Sequence, residues 1–104
     1  MKIVHTNTWT IAADKRQQTK DFVREVQQYW NKRQPNVSRT WLISMTGTDA
    51  GGKLTLITQW DSLSQWEKSD EERRDEPEWR AFLSKWANMV VPDSREFTVH
   101  EVVT

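Results

Sequence analysis

The chain has 104 residues, the length of one domain, with fifteen basic and fifteen acidic side chains and no formal net charge. Balanced charge argues against a nucleic-acid footprint, and the absence of cysteine excludes disulfides and thiolate chemistry. No apolar run approaches membrane-spanning length, and Met1-Lys2-Ile3-Val4-His5-Thr6 turns polar too early for a signal peptide, so a cytoplasmic address is expected.

Residues 3–11 alternate and are rich in Thr and Trp, which predicts a first strand. Asp14 with Gln17 has capping-box spacing and predicts a helix start. Phe22, Val23, Val26, Tyr29 and Trp30 then recur on one helical side, and the helix must stop before Pro35. Residues 37–46 and 53–60 read as two strands around Gly47-Thr48-Asp49-Ala50-Gly51-Gly52, whose glycines suit a hairpin loop. Ser62 with Gln65 predicts a second helix start, and the charged stretch Glu67 to Glu76 reads as a solvated helix end and loop. Asp75 and Glu78 around Pro77 form a third capping signal. The stripe Trp79, Phe82, Leu83, Trp86, Ala87, Val90 follows it, and residues 97–103 predict the last strand.

The order β-α-β-β-α-β predicts a single α+β domain over residues 1–104, ferredoxin-like, with a four-stranded antiparallel sheet whose outer strands are the second and fourth. Period-two alternation assigns one sheet face to the helices: Ile3, His5, Asn7, Trp9, Ile11, Trp41, Ile43, Met45, Leu54, Leu56, Trp60, Phe97 and Val99. The opposite face, with Val4, Thr6, Thr8, Thr10, Thr40, Leu42, Thr55 and Ile57, holds few charges. It is expected to pack against a second copy, giving a homodimer through the sheet face.

Seven tryptophans against one tyrosine point to an aromatic core, an aromatic-walled cavity, or both. His5 and Asn7 are polar on the helix-facing side, so each makes a structural hydrogen bond or points into a pocket. Trp41, Trp60 and Trp66 are expected to converge on the same space as His5, Asn7 and Trp9, which makes these six the candidate ligand-binding set for a small apolar or aromatic molecule. Trp79 and Trp86 read as core, Arg39 as an exposed strand-end charge ahead of the alternative that it offers a charge to an anionic ligand at the pocket rim, and His100 as a structural residue on the opposite face. No catalytic residue, metal ligand or cofactor is assigned. Two distant histidines lack metal-site spacing, and the glycines lack the Lys and following helix of a phosphate loop.

The layout resembles the dimeric α+β barrel superfamily, and in particular NIPSNAP-like proteins. The resemblance rests on Leu56-Ile57-Thr58-Gln59-Trp60-Asp61-Ser62-Leu63, on Glu71-Glu72-Arg73-Arg74 and on Asp75-Glu76-Pro77-Glu78-Trp79-Arg80-Ala81-Phe82. It implies two ferredoxin-like sheets paired into a barrel, without a cofactor. The chain is also similar to the antibiotic-biosynthesis monooxygenases, cofactor-independent enzymes that oxidise electron-rich aromatic rings between sheet and helices. Against that pattern, Trp60 matches the family Trp, Trp66 replaces the Tyr and Leu56 stands at the Asn, which removes a polarising donor and a proton carrier. Asn7 suits the heme-degrading branch, but no His occurs between residues 6 and 99 to hold iron. The expected function is binding of an aromatic ligand. The alternative is a cofactor-independent oxygenase of a quinol-like substrate, with His5 as its base.

Overall fold

The computed structural model describes residues 1–47 and 51–104. Its elements are β1 (Ile3–Thr10), α1 (Arg16–Arg33), β2 (Ser38–Ile43), β3 (Lys53–Trp60), α2 (Leu63–Arg73), α3 (Pro77–Ala87) and β4 (Glu96–Glu101). The strands form one antiparallel sheet in the order β2-β3-β1-β4, so β2 and β4 are the edges as the sequence predicts. The second crossover, counted as one α in the order β-α-β-β-α-β, holds two helices that begin near the two starts read at Ser62 and Pro77. Pro77, with no N–H to contribute, opens α3 at a position where that donor is not needed.

Register fixes the two faces. His5 pairs with Thr58, Thr58 with Arg39, and His5 with Val99, so all four side chains share the helix-facing side. The next row is Trp41, Leu56, Asn7 and Phe97, and beyond it come Ile43, Leu54 and Trp9. Met45 does not join them: β2 ends at Ile43 and Met45 is exposed. The opposite face carries Thr6, Thr8, Thr40, Leu42, Thr55, Ile57 and Thr98, with Lys53 and Glu96 at strand ends. Thr8 and Thr55 hydroxyls meet there at 3.2 Å, and Thr6 Oγ1 lies 3.2 Å from His100 Nε2.

The core sits between this sheet and α1. Phe22, Val26, Tyr29 and Trp30 of α1 cluster with Phe82 of α3, and half-buried Trp41, Trp79, Trp86 and Met89 pack against them. A second cluster joins Ile11, Val23 and Leu54. Both contain α1 residues that the 3.6-residue period singles out.

Two of the three capping signals fail. Asp14 adopts a φ of 64° and makes no cap; Lys15 holds that position instead, without a side-chain bond. Glu76, not Asp75, holds the N-cap position of α3, without a side-chain cap bond, while Asp75 pairs with Arg80 at 3.1 Å. Ser62 does cap α2, accepting from the Gln65 N–H at 3.1 Å, and Gln65 reaches back to the Asp61 N–H at 2.7 Å. In the hairpin between β2 and β3, residues 48–50 lie outside the described residues. Gly51 and Gly52 pack tightly: a Cβ on Gly51 would stand 2.5 Å from the Ile11 carbonyl oxygen, and Gly52 has a φ of 87°. Among the described residues no helix is long and apolar enough to cross a membrane.

Candidate functional site

Between the helix-facing side of the sheet and α1, α2 and α3 lies a cavity of about 420 Å³. All six sequence-selected residues line it: His5, Asn7 and Trp9 from β1, Trp41 from β2, Trp60 from β3 and Trp66 from α2. Trp79 and Trp86, read as core, line it as well, so in this molecule one set of aromatic rings forms both core and cavity wall.

The apolar half of the wall is built from edge-on ring contacts. Trp86 meets Trp9 at 4.9 Å between centroids and Trp41 at 6.3 Å, and Phe22 lies 5.7 Å from Trp86. Such tilted and edge-to-face pairs match the ring quadrupoles and hold each plane in place. The Trp41 indole N–H is spent on Gln27 Oε1 at 2.9 Å.

The other half is polar. His5 is 4% exposed and sits edge-on to Trp66 at 4.3 Å and Phe97 at 5.2 Å. Its Nε2 is buried without a hydrogen-bond partner among the described residues, as are Trp60 Nε1 and Arg39 Nη1. A structural hydrogen bond, one of the two alternatives for His5, is therefore absent at that nitrogen among the described residues. Asn7 behaves differently: its Oδ1 accepts from Arg95 Nε at 2.9 Å.

The cavity wall is more basic than the sequence suggests. Arg39 is a half-buried wall residue rather than an exposed strand-end charge, stacked 4.0 Å above the Trp30 ring, and its Nη2 donates to Gln34 Oε1 at 2.5 Å. Arg73, from the stretch read as solvated, lies 5.3 Å from the Trp30 centroid and 5.0 Å from that of Trp79, and pairs with Asp70 at 3.1 Å. Ser69 of the same stretch is buried and links the two arginines, accepting from Gln34 Nε2 at 2.5 Å and from Arg73 Nη1 at 3.5 Å. Period-two alternation already places Arg39 on the face of Trp41. Trp66, Asp70 and Arg73 share one side of a helix by i, i+4, i+7 spacing, so both signals were present in the sequence.

Burial chiefly, then repulsion from Arg73 and Arg95, holds the His5 pKa down at about 4, so the imidazole is neutral at pH 7. Burial, then Arg73, lowers Arg39 to about 10, which leaves it charged at neutral pH. Arg73 is also lowered, chiefly by burial, with Asp70 acting in the opposite direction. A neutral imidazole beside buried guanidinium groups can donate or accept a hydrogen bond without adding charge.

The match to known proteins agrees with this architecture. Residues 8–101 match the family model of NIPSNAP. No curated protein matches the chain at the level of sequence. Among solved structures, the chain is similar to a NIPSNAP family protein from Agrobacterium tumefaciens at 17% identity and a TM-score of 0.79, covering 97% of this chain and 92% of that one. It is similar to SnoaB, a cofactor-independent oxygenase from Streptomyces nogalater, at 12% identity and a TM-score of 0.72, covering 99% and 94%. A dimeric protein of ferredoxin-like fold and unknown function from Bacteroides fragilis matches at 13% identity and a TM-score of 0.71, covering 97% and 96%. At these identities the solved structures establish a shared fold.

Proposed function

The chain belongs to the NIPSNAP family, and on that premise we propose that it is a homodimeric binding protein for a small aromatic molecule held between sheet and helices. The observation that carries this reading is the convergence of His5, Asn7, Trp9, Trp41, Trp60 and Trp66, from four different elements, on one cavity of about 420 Å³. Apolar walls with a few converging polar groups are what a small-molecule site requires. The dimer is supported by the low charge of the outer sheet face and by the dimeric Bacteroides fragilis protein of the same fold. A cytoplasmic setting fits the absence of cysteine.

A second reading, a cofactor-independent oxygenase of a quinol-like substrate, is favoured by the fold shared with SnoaB and by a free imidazole nitrogen at the cavity. His5 titrating at about 4 is a weak base for that work, because burial and two arginines oppose the imidazolium. Binding is therefore the leading reading.

Titration with aromatic and quinol-like compounds, followed by tryptophan fluorescence and oxygen consumption together, separates the two. Saturable quenching without oxygen uptake is the expected result. Quenching with uptake moves the protein to the oxygenase class, and the absence of any saturable response across the panel removes the pocket reading.

A further inference from the structure

The aromatic pocket leaves a polar problem unsolved at one end. His5 Nε2, Arg39 Nη1 and Trp60 Nε1 are the buried side-chain polar atoms without partners among the described residues, and all three residues line the same cavity. Two of these residues, His5 and Trp60, are each only 4% exposed. A buried donor left unpaired is unfavourable, and native structures avoid it unless something else completes the bond.

The charge around these atoms is predominantly positive. The cavity wall carries Arg39, Arg73, Arg74 and Arg95 against the single carboxylate of Asp70, and Asp70 is shared between Arg73 at 3.1 Å and Arg74 at 3.2 Å. Among the described residues Arg39 has no acidic partner; its bond goes to the neutral Gln34 amide. Stacking on Trp30 holds its guanidinium plane in place. What is missing is an acceptor with negative charge.

Polar and aromatic groups are also sorted along the strands. The row of Arg39, Thr58 and His5 lies next to Trp60, the following row holds Trp41, Leu56 and Asn7, and the one after it holds Trp9. Rows two residues apart stand about 6.7 Å apart along a strand. A ligand with its charge at the first row therefore has its rings beside Trp41 and Trp9.

Building on the aromatic-ligand reading, we propose that the ligand is an aromatic carboxylate, its anionic head held by Arg39, the Trp60 indole N–H and the neutral His5 imidazole, its rings lying along Trp41, Trp9 and Trp86. The carboxylate supplies acceptors to all three orphaned groups and offsets the repulsion between Arg39 and Arg73. A neutral ring system would leave the donors and the charge uncompensated.

The test is calorimetric titration with 2-naphthoate and with 2-naphthamide, a planar neutral molecule of nearly the same size. The wild-type protein is expected to bind 2-naphthoate at least tenfold more tightly, and Arg39→Met to bring the two affinities together with the 2-naphthamide value little changed. Trp60→Phe keeps an aromatic ring, though a smaller one, removes the indole N–H and is expected to weaken 2-naphthoate about tenfold with 2-naphthamide less affected; it decides the matter if Arg39→Met does not fold. Equal affinities in the wild type overturn the anionic head while leaving the aromatic pocket standing, as does a preference that survives both substitutions. Failure of both compounds to bind overturns the pocket reading and the head with it, and 2-naphthamide binding without 2-naphthoate overturns the head alone.

Discussion

At 4% exposure and with Arg73 and Arg95 acting on it, His5 titrates near pH 4 instead of its ordinary 6.5. In that window the unfolded chain holds more protons than the folded one, so stability rises with pH. The contribution is complete above pH 6.5 and is lost progressively as the pH falls towards 4. Its upper bound is about 3 kcal/mol, from 1.36 kcal/mol per unit. His5→Phe, similar in size and unable to charge, is expected to flatten the pH dependence of the urea midpoint between pH 4 and 7. Equal slopes in both proteins would assign that dependence to other groups. The position of His5 on the helix-facing side was legible from alternation alone. Its missing partner was not, because hydrogen bonding depends on neighbours from distant elements. Arg39 shows the same limit. Its face could be read from Trp41 two residues away, but the stack on Trp30 that draws it out of water comes from α1.

Helix boundaries separate signals that agree with their surroundings from those that tertiary structure overrides. Ser62 caps α2 because β3 delivers it in extended conformation, with φ −158° and ψ 161°, directly before the helix. Asp75 is another favoured capping residue at the same spacing, yet α3 starts at Pro77, which leaves Glu76 at the N-cap position without a side-chain bond. Glu76 is itself drawn inward, accepting from Tyr29 Oη at 2.9 Å and pairing with Arg33. Burial, reinforced by that hydrogen bond, raises the Tyr29 pKa to about 12. Ser62→Ala is expected to cost about 1 kcal/mol. Asp75→Ala, which removes only an exposed pair with Arg80, is expected to stay within about 0.5 kcal/mol. Chemical denaturation of the two variants measures both values, and an Asp75 effect as large as that of Ser62 contradicts the assignment of the caps. In the charged stretch the number of charges masks their helical period. Trp66, Asp70 and Arg73 face the cavity, while their neighbours Glu67, Glu71 and Glu72 are exposed.

On the scale of the whole molecule, the sheet has two unequal faces. One is closed by three helices around an aromatic cavity lined within a single chain, and the other is open. On the open face Leu42 is 51% exposed, and Ile57 lies at the centre, between Thr40 on β2 and Thr6 on β1. β4 is exposed along its whole length, so an isolated chain presents a long unprotected edge. Two such sheets packed face to face would remove the β-branched surface from water, with Lys53 and Glu96 left at the strand ends. A charge at the centre of that contact has no counterpart in the second copy, where symmetry brings like against like. Ile57→Lys is therefore expected to convert a dimer into a monomer in sedimentation equilibrium, with the far-ultraviolet circular dichroism unchanged. Because the cavity draws its walls from one chain, the monomer is expected to retain aromatic-ligand binding within a fewfold of the wild type. A dimer that persists in Ile57→Lys places the subunit contact elsewhere. Binding lost together with the dimer makes the pocket depend on the partner subunit, and the site must then be redrawn to include it.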